Sequence, residues 1–316
     1  MRFLVTGGAG FIGSHLTEWL LEQGYLVRVL DNFSTGKQEN LAGCRQRFNK
    51  VEILEGDLRD LETTRLACQG RAGIFHLGAL PSVSRSLENP RETTEINILG
   101  TINLLISARE AGVKRVIFAS SSSVYGNTPR LPKKEDMTPN PLSPYAVTKL
   151  AGEEYCRIFY RTFGLETVIL RYFNVFGPCQ DPASPYAAVI PKFIRLALQQ
   201  RPLTVYGDGN QSRDFSYVDN VVSANMLAWS AKDASGQAYN IGCGERFTLN
   251  HLINELREAL GINLEAHYLE PRPGDVRHSY ADISRAMQLL GYRPKVKFPE
   301  GLRYTIQYFN NEVSSE

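Results

Sequence analysis

In the stretch SPYAVTKL, Tyr145 and Lys149 stand four positions apart. On a helix that spacing stacks both side chains on one face and sets an ammonium beside a phenol. Pro144 has no N–H to donate and suits a first helical turn, so a helix is expected to start there and to carry Lys149 one turn beyond Tyr145. A phenol with its ordinary pKa of about 10 is a poor base at neutral pH, and lowering it by roughly 3 units requires about 4 kcal/mol of preferential stabilisation of the phenolate. An adjacent ammonium and a second positive charge supply that.

A source for the second charge lies at the other end of the chain. TGGAGFIGSHL satisfies GxGxxG through Gly8, Gly10 and Gly13, and GxxGxxG through Gly7, Gly10 and Gly13. The apolar run before it and the helical pattern after it give the order strand, turn, helix, in which backbone amides and a positive helix end meet a pyrophosphate. The competing reading is a tight turn that needs positive φ. The second apolar run ends in Asp31, where a carboxylate accepts from adenosine ribose hydroxyls and repels a 2′-phosphate, which favours NAD over NADP. Lys37 follows a few residues on, but no Arg stands directly after Asp31. Asp57 closes VEILEGD, where it faces an adenine amino group or is a solvated turn residue.

ASSSSVYG, Ala119 to Gly126, follows another apolar run and sets hydroxyls at the carboxyl edge of a sheet, where ligands of doubly wound sheets bind. Alone it reads as a polar strand end. With a dinucleotide loop upstream and Tyr145 and Lys149 downstream, it reads as a proton relay beside a hydride acceptor. A redox sensor that binds NAD without turnover has no need of such an aligned Ser, Tyr and Lys. The five histidines are scattered without paired spacing, so no metal is assigned, and His76, inside a strand pattern, reads as a packed structural residue.

The elements that must position these groups follow from periodicity. RFLVT, YLVRVL, VEILEG, GIFHLG, RVIFAS and TVILRY alternate with longer stretches of helical period or loops, which implies α/β architecture: a doubly wound parallel sheet covered by helices on both faces. After about Tyr172 the pattern turns irregular, with prolines between short elements. A cofactor domain over 1–172 and a smaller, mixed α/β substrate domain over 173–316 are expected, with elements near 213–243 returning to the first.

The 316 residues, 43% hydrophobic and 22% charged, are ordinary for a globular protein that buries roughly three quarters of its unfolded surface. A net charge of +2 without a basic run gives no footprint for nucleic acid or an anionic membrane, so small-molecule partners are expected. No run approaches 18 apolar residues, and the residues after Met1 leave no room for a signal peptide. Five well-separated cysteines without CxxC read as thiols in a reducing compartment, the cytoplasm.

TGGAGFIG, Asp31, Asp57, HLGA, Asn97, SSSSVYG, SPYAVTK and RYFNVFGP together resemble the extended short-chain dehydrogenase/reductase family, and within it the nucleotide-sugar 4-epimerases, over nearly the whole chain to about Tyr304. The resemblance implies tightly held NAD, a UDP-sugar substrate, a transient 4-keto sugar and a homodimer packed through helices. It implies Ser121, four before the tyrosine of VYG, as the catalytic hydroxyl, Tyr145 as base, and Lys149 on the nicotinamide ribose. It implies a cofactor site of Gly7, Gly10, Phe11, Ile12, Asp31, Asn32, Ser34, Gly36, Asp57, Leu58, Leu77, Ala79, Asn97, Tyr145, Lys149 and Tyr172. The substrate site it implies comprises Ser82, Ser121, Ser122, Ser123, Tyr145, Asn174, Gln180, Val189, Thr204, Tyr206, Arg213, Arg272, Asp275 and Ser279.

Two arginines facing a diphosphate fit the planar forks that bind phosphate oxygens bidentately, although Arg213 beside Asp214 also reads as a surface ion pair. The family's 4,6-dehydratases carry Asp and Glu where this chain has Ser122 and Ser123, so the acid that eliminates water is missing and epimerisation is favoured. Dehydratase, decarboxylase and UDP-glucuronate epimerase activities are the alternatives on this scaffold. Ser279 stands four after Asp275, where a bulky Tyr in the resembled epimerases limits substrates to UDP-glucose and UDP-galactose; a serine opens space for an N-acetyl group. UDP-N-acetylglucosamine and UDP-N-acetylgalactosamine are therefore the expected pair, with the plain sugars as secondary substrates. A one-residue shift of register would exchange Ser279 for Tyr280.

Overall fold

A computed structural model of the chain describes residues 1–184, 187–271 and 276–313. Seven parallel strands form the main sheet: β1 (Arg2–Thr6), β2 (Leu26–Asp31), β3 (Val51–Glu55), β4 (Gly73–His76), β5 (Arg115–Ser121), β6 (Glu166–Tyr172) and β11 (Ala238–Ile241). Their order is β11-β6-β5-β4-β1-β2-β3. Six of the seven are the apolar runs named above, and they are rich in Val, Ile and Leu because helices cover both faces. Three short two-stranded pairs lie outside the sheet: β7 (Val175–Phe176) with β10 (Ser216–Tyr217), β9 (Ser212–Arg213) with β12 (Phe247–Thr248), and β8 (Leu203–Tyr206) with β13 (Ala266–Leu269).

The helices are α1 (Phe11–Glu22), α2 (Ala42–Arg47), α3 (Leu61–Cys68), α4 (Val83–Glu88), α5 (Pro90–Thr94), α6 (Gly100–Glu110), α7 (Pro144–Phe163), α8 (Val189–Leu198), α9 (Val218–Ser230), α10 (Leu249–Leu260), α11 (Ser284–Leu289) and α12 (Phe298–Val313). Alternate strand residues sort into two cores. Phe3, Val5, Val29, Ile117 and Leu170 meet Leu16 and Leu20 of α1 and Val221 and Ala224 of α9. On the opposite face Leu4, Ile74, Val116, Phe118 and Ile169 meet Leu104 and Leu105 of α6 and Cys156 and Phe159 of α7. A third core joins α8, β8, α10 and α12 through Phe193, Val205, Leu252, Phe298 and Leu302.

Strand order reverses between β1 and β4, the switch point at whose carboxyl edge doubly wound sheets bind their ligands in a crevice. Arg115, at the opposite edge, is 4% exposed and donates to the carbonyls of Ala228, Trp229 and Ala231, closing the C-terminus of α9 over β5. Ser143 caps α7 by accepting from the Ala146 amide at 3.2 Å, Pro144 occupies the first turn, and Gly164 ends the helix in the left-handed conformation at φ 71°.

Under the crevice floor His76 bridges three elements. Thr101 Oγ1 donates to the Asn97 carbonyl (2.6 Å), so it accepts from His76 Nε2 at 2.9 Å, while Thr6 Oγ1, which accepts from the Gly78 amide (3.1 Å), donates to Nδ1 at 2.7 Å. This is a neutral imidazole, and burial, assisted by the Lys149 ammonium, pushes its pKa down to about 3. Between that value and 6.5 the unfolded chain binds a proton that the native state refuses, so stability falls as pH falls through this window, by up to ~1.4 kcal/mol per pH unit from this one group. Urea titrations over that range are expected to give a shallower pH slope for His76→Gln than for the parent; two parallel curves would contradict the assignment.

Candidate active site

The turn after β1 leaves no space for side chains. A Cβ on Gly13 would sit 2.1 Å from the Gly7 carbonyl oxygen, and one on Gly7, whose φ is +67°, would sit 2.7 Å from the Gly78 amide. This close packing presses the N-terminus of α1 onto the turn. The first intrahelical bond is Ser14 N–H to the Gly10 carbonyl (2.9 Å), no side chain caps the helix, and its first turn carries no acid. The amides of Phe11, Ile12 and Gly13 and the positive helix end therefore remain for an anion, and the donors fit a dinucleotide pyrophosphate.

Asp31 closes β2 beside that turn and is only 8% exposed. Its carboxylate accepts from the amides of Ala9 and Phe33, both at 2.9 Å, and Gly36 passes so close that a Cβ there would lie 3.0 Å from Oδ1. It thus holds the glycine turn as well as facing the crevice, and burial raises its pKa against the pull of those two amides. Asn32 donates to Asp57 at 3.0 Å and accepts from both the amide and the hydroxyl of Ser34. Asp57 is no free turn residue, since Arg59 binds it through Nε, Nη2 and the amide and pulls its pKa down to about 2. Leu58 packs under the loop of Leu77, Gly78 and Ala79. Asn97 sits in a π-helical turn, Glu95–Leu99, between α5 and α6. There it bonds both backbone groups of Leu80 and the hydroxyl of Thr148, locking the loop after β4 to α7. Tyr172 turns its hydroxyl away from the edge, to Asn225 of α9 at 3.0 Å.

Ser121 ends β5, and its hydroxyl caps the 3-10 turn Ser122–Tyr125 by accepting from the Ser123 amide at 3.2 Å. Its side chain also hydrogen-bonds Tyr145, which opposes the upward pull of burial on the phenol. Lys149 is 6% exposed and donates to the Ala119 carbonyl at 2.8 Å, with Nζ 5.9 Å from the Tyr145 ring centre. Burial lowers the Lys149 pKa to about 8, so the group still carries its charge at neutral pH. Serine hydroxyl, phenol and ammonium thus converge at the carboxyl edge, where proton transfer to or from a bound alcohol is chemically available.

Across the crevice a cavity of about 300 Å³ is lined by Asn174, Val189, Thr204, Tyr206 and Arg213, and also by Ser84, Lys192, Gln211 and Phe215, which sequence reasoning did not single out. Asn174 adopts φ 32°, a left-handed conformation rare outside glycine and characteristic of constrained sites. Arg213 does not owe its place to Asp214, whose fully buried carboxylate accepts from the amides of Cys243, Gly244 and Ala281 instead. The other anticipated contacts lie elsewhere. Ser82 caps α4 by accepting from the Arg85 amide. Gln180 donates weakly to the Val175 carbonyl and leaves a buried carbonyl oxygen without a partner. Ser279 is buried, its amide bonded to the Ser212 carbonyl at 2.9 Å. Arg272 and Asp275 fall outside the described residues, and among those described no His, Cys, Asp and Glu cluster has the arrangement to hold a metal ion.

Residues 3–242 match the model of the NAD dependent epimerase/dehydratase family. The chain belongs to that family. A putative UDP-glucose 4-epimerase of Methanocaldococcus jannaschii is 39% identical over 310 residues, covering 98% of both chains. Two solved structures superpose closely. UDP-glucose 4-epimerase of Thermotoga maritima, solved with UDP-glucose, has a TM-score of 0.94 and 39% identity and covers 99% of this chain and 100% of its own. UDP-N-acetylglucosamine 4-epimerase of Methanobrevibacter ruminantium M1, in complex with UDP-N-acetylmuramic acid, has a TM-score of 0.94 and 41% identity and covers 98% of both chains. Membership makes the protein an NAD-using enzyme, and the glycine turn, with space only for backbone, is consistent with that cofactor.

Because Asp31 braces the glycine turn and is expected from the sequence to accept from the ribose hydroxyls, Asp31→Ala is expected to act twice. Loss of two buried amide partners should cost ~1–3 kcal/mol of stability, and the parent's preference for NAD over NADP in equilibrium dialysis should shrink. Equal affinity of the unmodified protein for the two dinucleotides would contradict this.

Proposed function

We propose that this epimerase interconverts UDP-N-acetylglucosamine and UDP-N-acetylgalactosamine, and UDP-glucose and UDP-galactose more slowly. The convergence of Ser121, Tyr145 and Lys149 at the sheet edge carries the epimerase reading. In it Tyr145, as phenolate, takes the proton of the sugar 4-hydroxyl, with Ser121 bonded to the same oxygen so that the proton has a short, fixed path. Bound NAD supplies the hydride acceptor at C4 and a positive ring that favours the phenolate. Lys149 stays where its charge is felt by Tyr145 and binds the nicotinamide ribose. The 4-keto sugar then turns over in the cavity mouth, and Tyr145 gives its proton back to the C4 oxygen as the hydride held by the reduced dinucleotide would return to the other face of C4. Asn174 and Arg213 on the cavity wall, together with Arg272 and Asp275, are assigned to the diphosphate and the uridine ribose. Ser122 and Ser123 hold no acid, which disfavours loss of water.

The choice of acetylated sugars rests on Ser279. Ser279 is the smaller side chain at the position where the resembled epimerases carry a bulky Tyr, and Gln180 carries an unpartnered carbonyl oxygen suited to an amide N–H. The test measures kcat/KM on both sugar pairs and on UDP-glucuronate for the parent, Tyr145→Phe and Ser279→Tyr. Tyr145→Phe should keep bound NAD and lose about 10²- to 10⁴-fold in rate. Ser279→Tyr should lose turnover of acetylated sugars while keeping the plain pair. A parent that prefers UDP-glucuronate, or an untouched acetylated-sugar rate in Ser279→Tyr, sinks the substrate assignment.

A homodimer is proposed on the surface of α7. Val147 and Ile158, 48% and 49% exposed, lie three turns apart on one face, and Leu99 beside the start of α6 is 45% exposed, an apolar stripe of the kind that helices bury against a second copy. Light scattering should give twice the chain mass, and Ile158→Lys should shift it to the monomer. A parent that is monomeric at high micromolar concentration rules the dimer out.

A further inference from the structure

Tyr145, Lys149 and Glu153 follow one another at steps of four along α7, so one helical face carries all three. Glu153 lies deepest. Its exposure is 0% and it does not line the cavity, yet its carboxylate collects four donors. Oε1 accepts from Ser120 Oγ at 2.6 Å and Arg171 Nε at 2.8 Å, and Oε2 from Arg171 Nη2 at 2.7 Å and Arg157 Nη2 at 3.1 Å. Arg171, itself 2% exposed on β6, passes the chain on through Nη1 to the Tyr125 hydroxyl (2.8 Å), which donates to Asn240 Oδ1 on β11 (2.7 Å).

The partners are consecutive along β5. Ala119 accepts from Lys149, Ser120 donates to Glu153, and Ser121 hydrogen-bonds Tyr145. Tyr125 closes the turn that carries Ser122 and Ser123, so the ion pair grips the serine segment from both ends. Stability alone does not require charges here, since a buried ion pair exchanged for apolar residues of similar volume is often neutral or stabilising. Apolar surfaces slide over one another, however, whereas a bidentate fork fixes distance and direction.

We infer that Glu153, clamped by Arg171 and bonded to Ser120, is a positioning residue that sets the register of the Tyr145 and Lys149 face of α7 against the serine strand. It touches neither substrate nor cofactor and acts through the alignment of the groups that do. The inference rests on the reading of Tyr145 as the base. Around this face His76 is neutral, burial raises the Cys156 thiol pKa, and Arg157 and Arg171 are spent on Glu153, so Lys149 is the cation nearest the phenol among the described residues.

The decisive variant is Glu153→Leu/Arg171→Met in the NAD-loaded enzyme, with Ser120→Ala beside it because that change leaves the ion pair in place. Both should keep NAD content, Tm and KM for the nucleotide sugar. The double variant should lose about 10- to 100-fold in kcat, the scale of a misplacement near 1 Å, and Ser120→Ala should lose less. In both, the acid limb of the kcat profile should move to higher pH. The Tyr145 phenol, read as the ultraviolet titration difference from Tyr145→Phe, should move with it. A folded double variant with the parent's kcat, acid limb and phenol titration overturns the inference. If the double variant does not fold, the same parent-like result for Ser120→Ala overturns it. An active Tyr145→Phe would instead remove the base assignment itself, so the two failures are told apart.

Discussion

A carboxylate with no exposed surface has to be met by charge, and leaving such a group without its partner costs about 3–5 kcal/mol. Glu153 imposes that constraint on this molecule. Arg171 must stand opposite it on β6, Arg157 must fold back along α7, and Ser120 must point to the helix side of β5. Because strand side chains alternate, a Ser120 fixed toward α7 obliges its neighbour Ser121 to occupy the strand end in a different direction, where its hydroxyl is found with Tyr145. The constraint reaches beyond the sheet as well. Asn240, the last acceptor in the chain of bonds, donates to the carbonyls of Lys133 and Asp282 and so holds two irregular segments against β11.

Those irregular segments explain how one sheet serves two ligands of different shape. The cofactor side is built from short loops leaving β1, β2, β3 and β4, each locked to its neighbour by backbone contacts that tolerate no extra atom, as at Gly13 and Gly36. The cavity side is built mostly from chain after Tyr172, where short strands and helices are joined by irregular segments that polar side chains hold. Asp214 is the clearest case. It gathers three amides at 2.7, 3.1 and 3.2 Å from segments far apart in sequence, and burial holds its pKa up, at about 7, despite those donors. Arg213, next in the chain, is thereby presented to the cavity from a fixed backbone.

This division also decides what the sequence discloses. Strands buried on both faces must be continuous apolar runs, so the six runs from RFLVT to TVILRY are visible without a structure, as are the glycine turn and the Tyr145 and Lys149 spacing. Residues whose partners lie far away in sequence are not. Ser84 of α4, Lys192 of α8, and Gln211 and Phe215 in the loops on either side of β9 come to one cavity, and no local period marks them. Nothing in the sequence singles out Glu153, because only the position of Arg171 eighteen residues later makes its burial tolerable. Tyr172, expected at the cofactor, gives its hydroxyl to Asn225 because strand alternation puts it on the same face as Leu170, against α9. Nothing in the sequence marks the π turn that holds Asn97 against Leu80 and Thr148.

The electrostatics of the catalytic face favour restraint over permanent activation. Burial raises the Tyr145 pKa and the Ser121 hydrogen bond lowers it, with burial the larger influence, while burial also weakens the hold of Lys149 on its proton. The nearby imidazole cannot help, being neutral and spent on two threonines. Side chains alone therefore leave the phenol protonated at neutral pH, even with the Lys149 ammonium 5.9 Å from its ring centre, and only part of the roughly 4 kcal/mol that a phenolate needs is met by the Ser121 hydrogen bond. The remainder has to come from a positive charge brought close to the ring. A base that forms only when an oxidised dinucleotide is in place gives up its proton only when a hydride acceptor stands beside it. On the proposed mechanism, the geometry that makes Tyr145 a poor base by itself is what would couple proton removal to the presence of the oxidant.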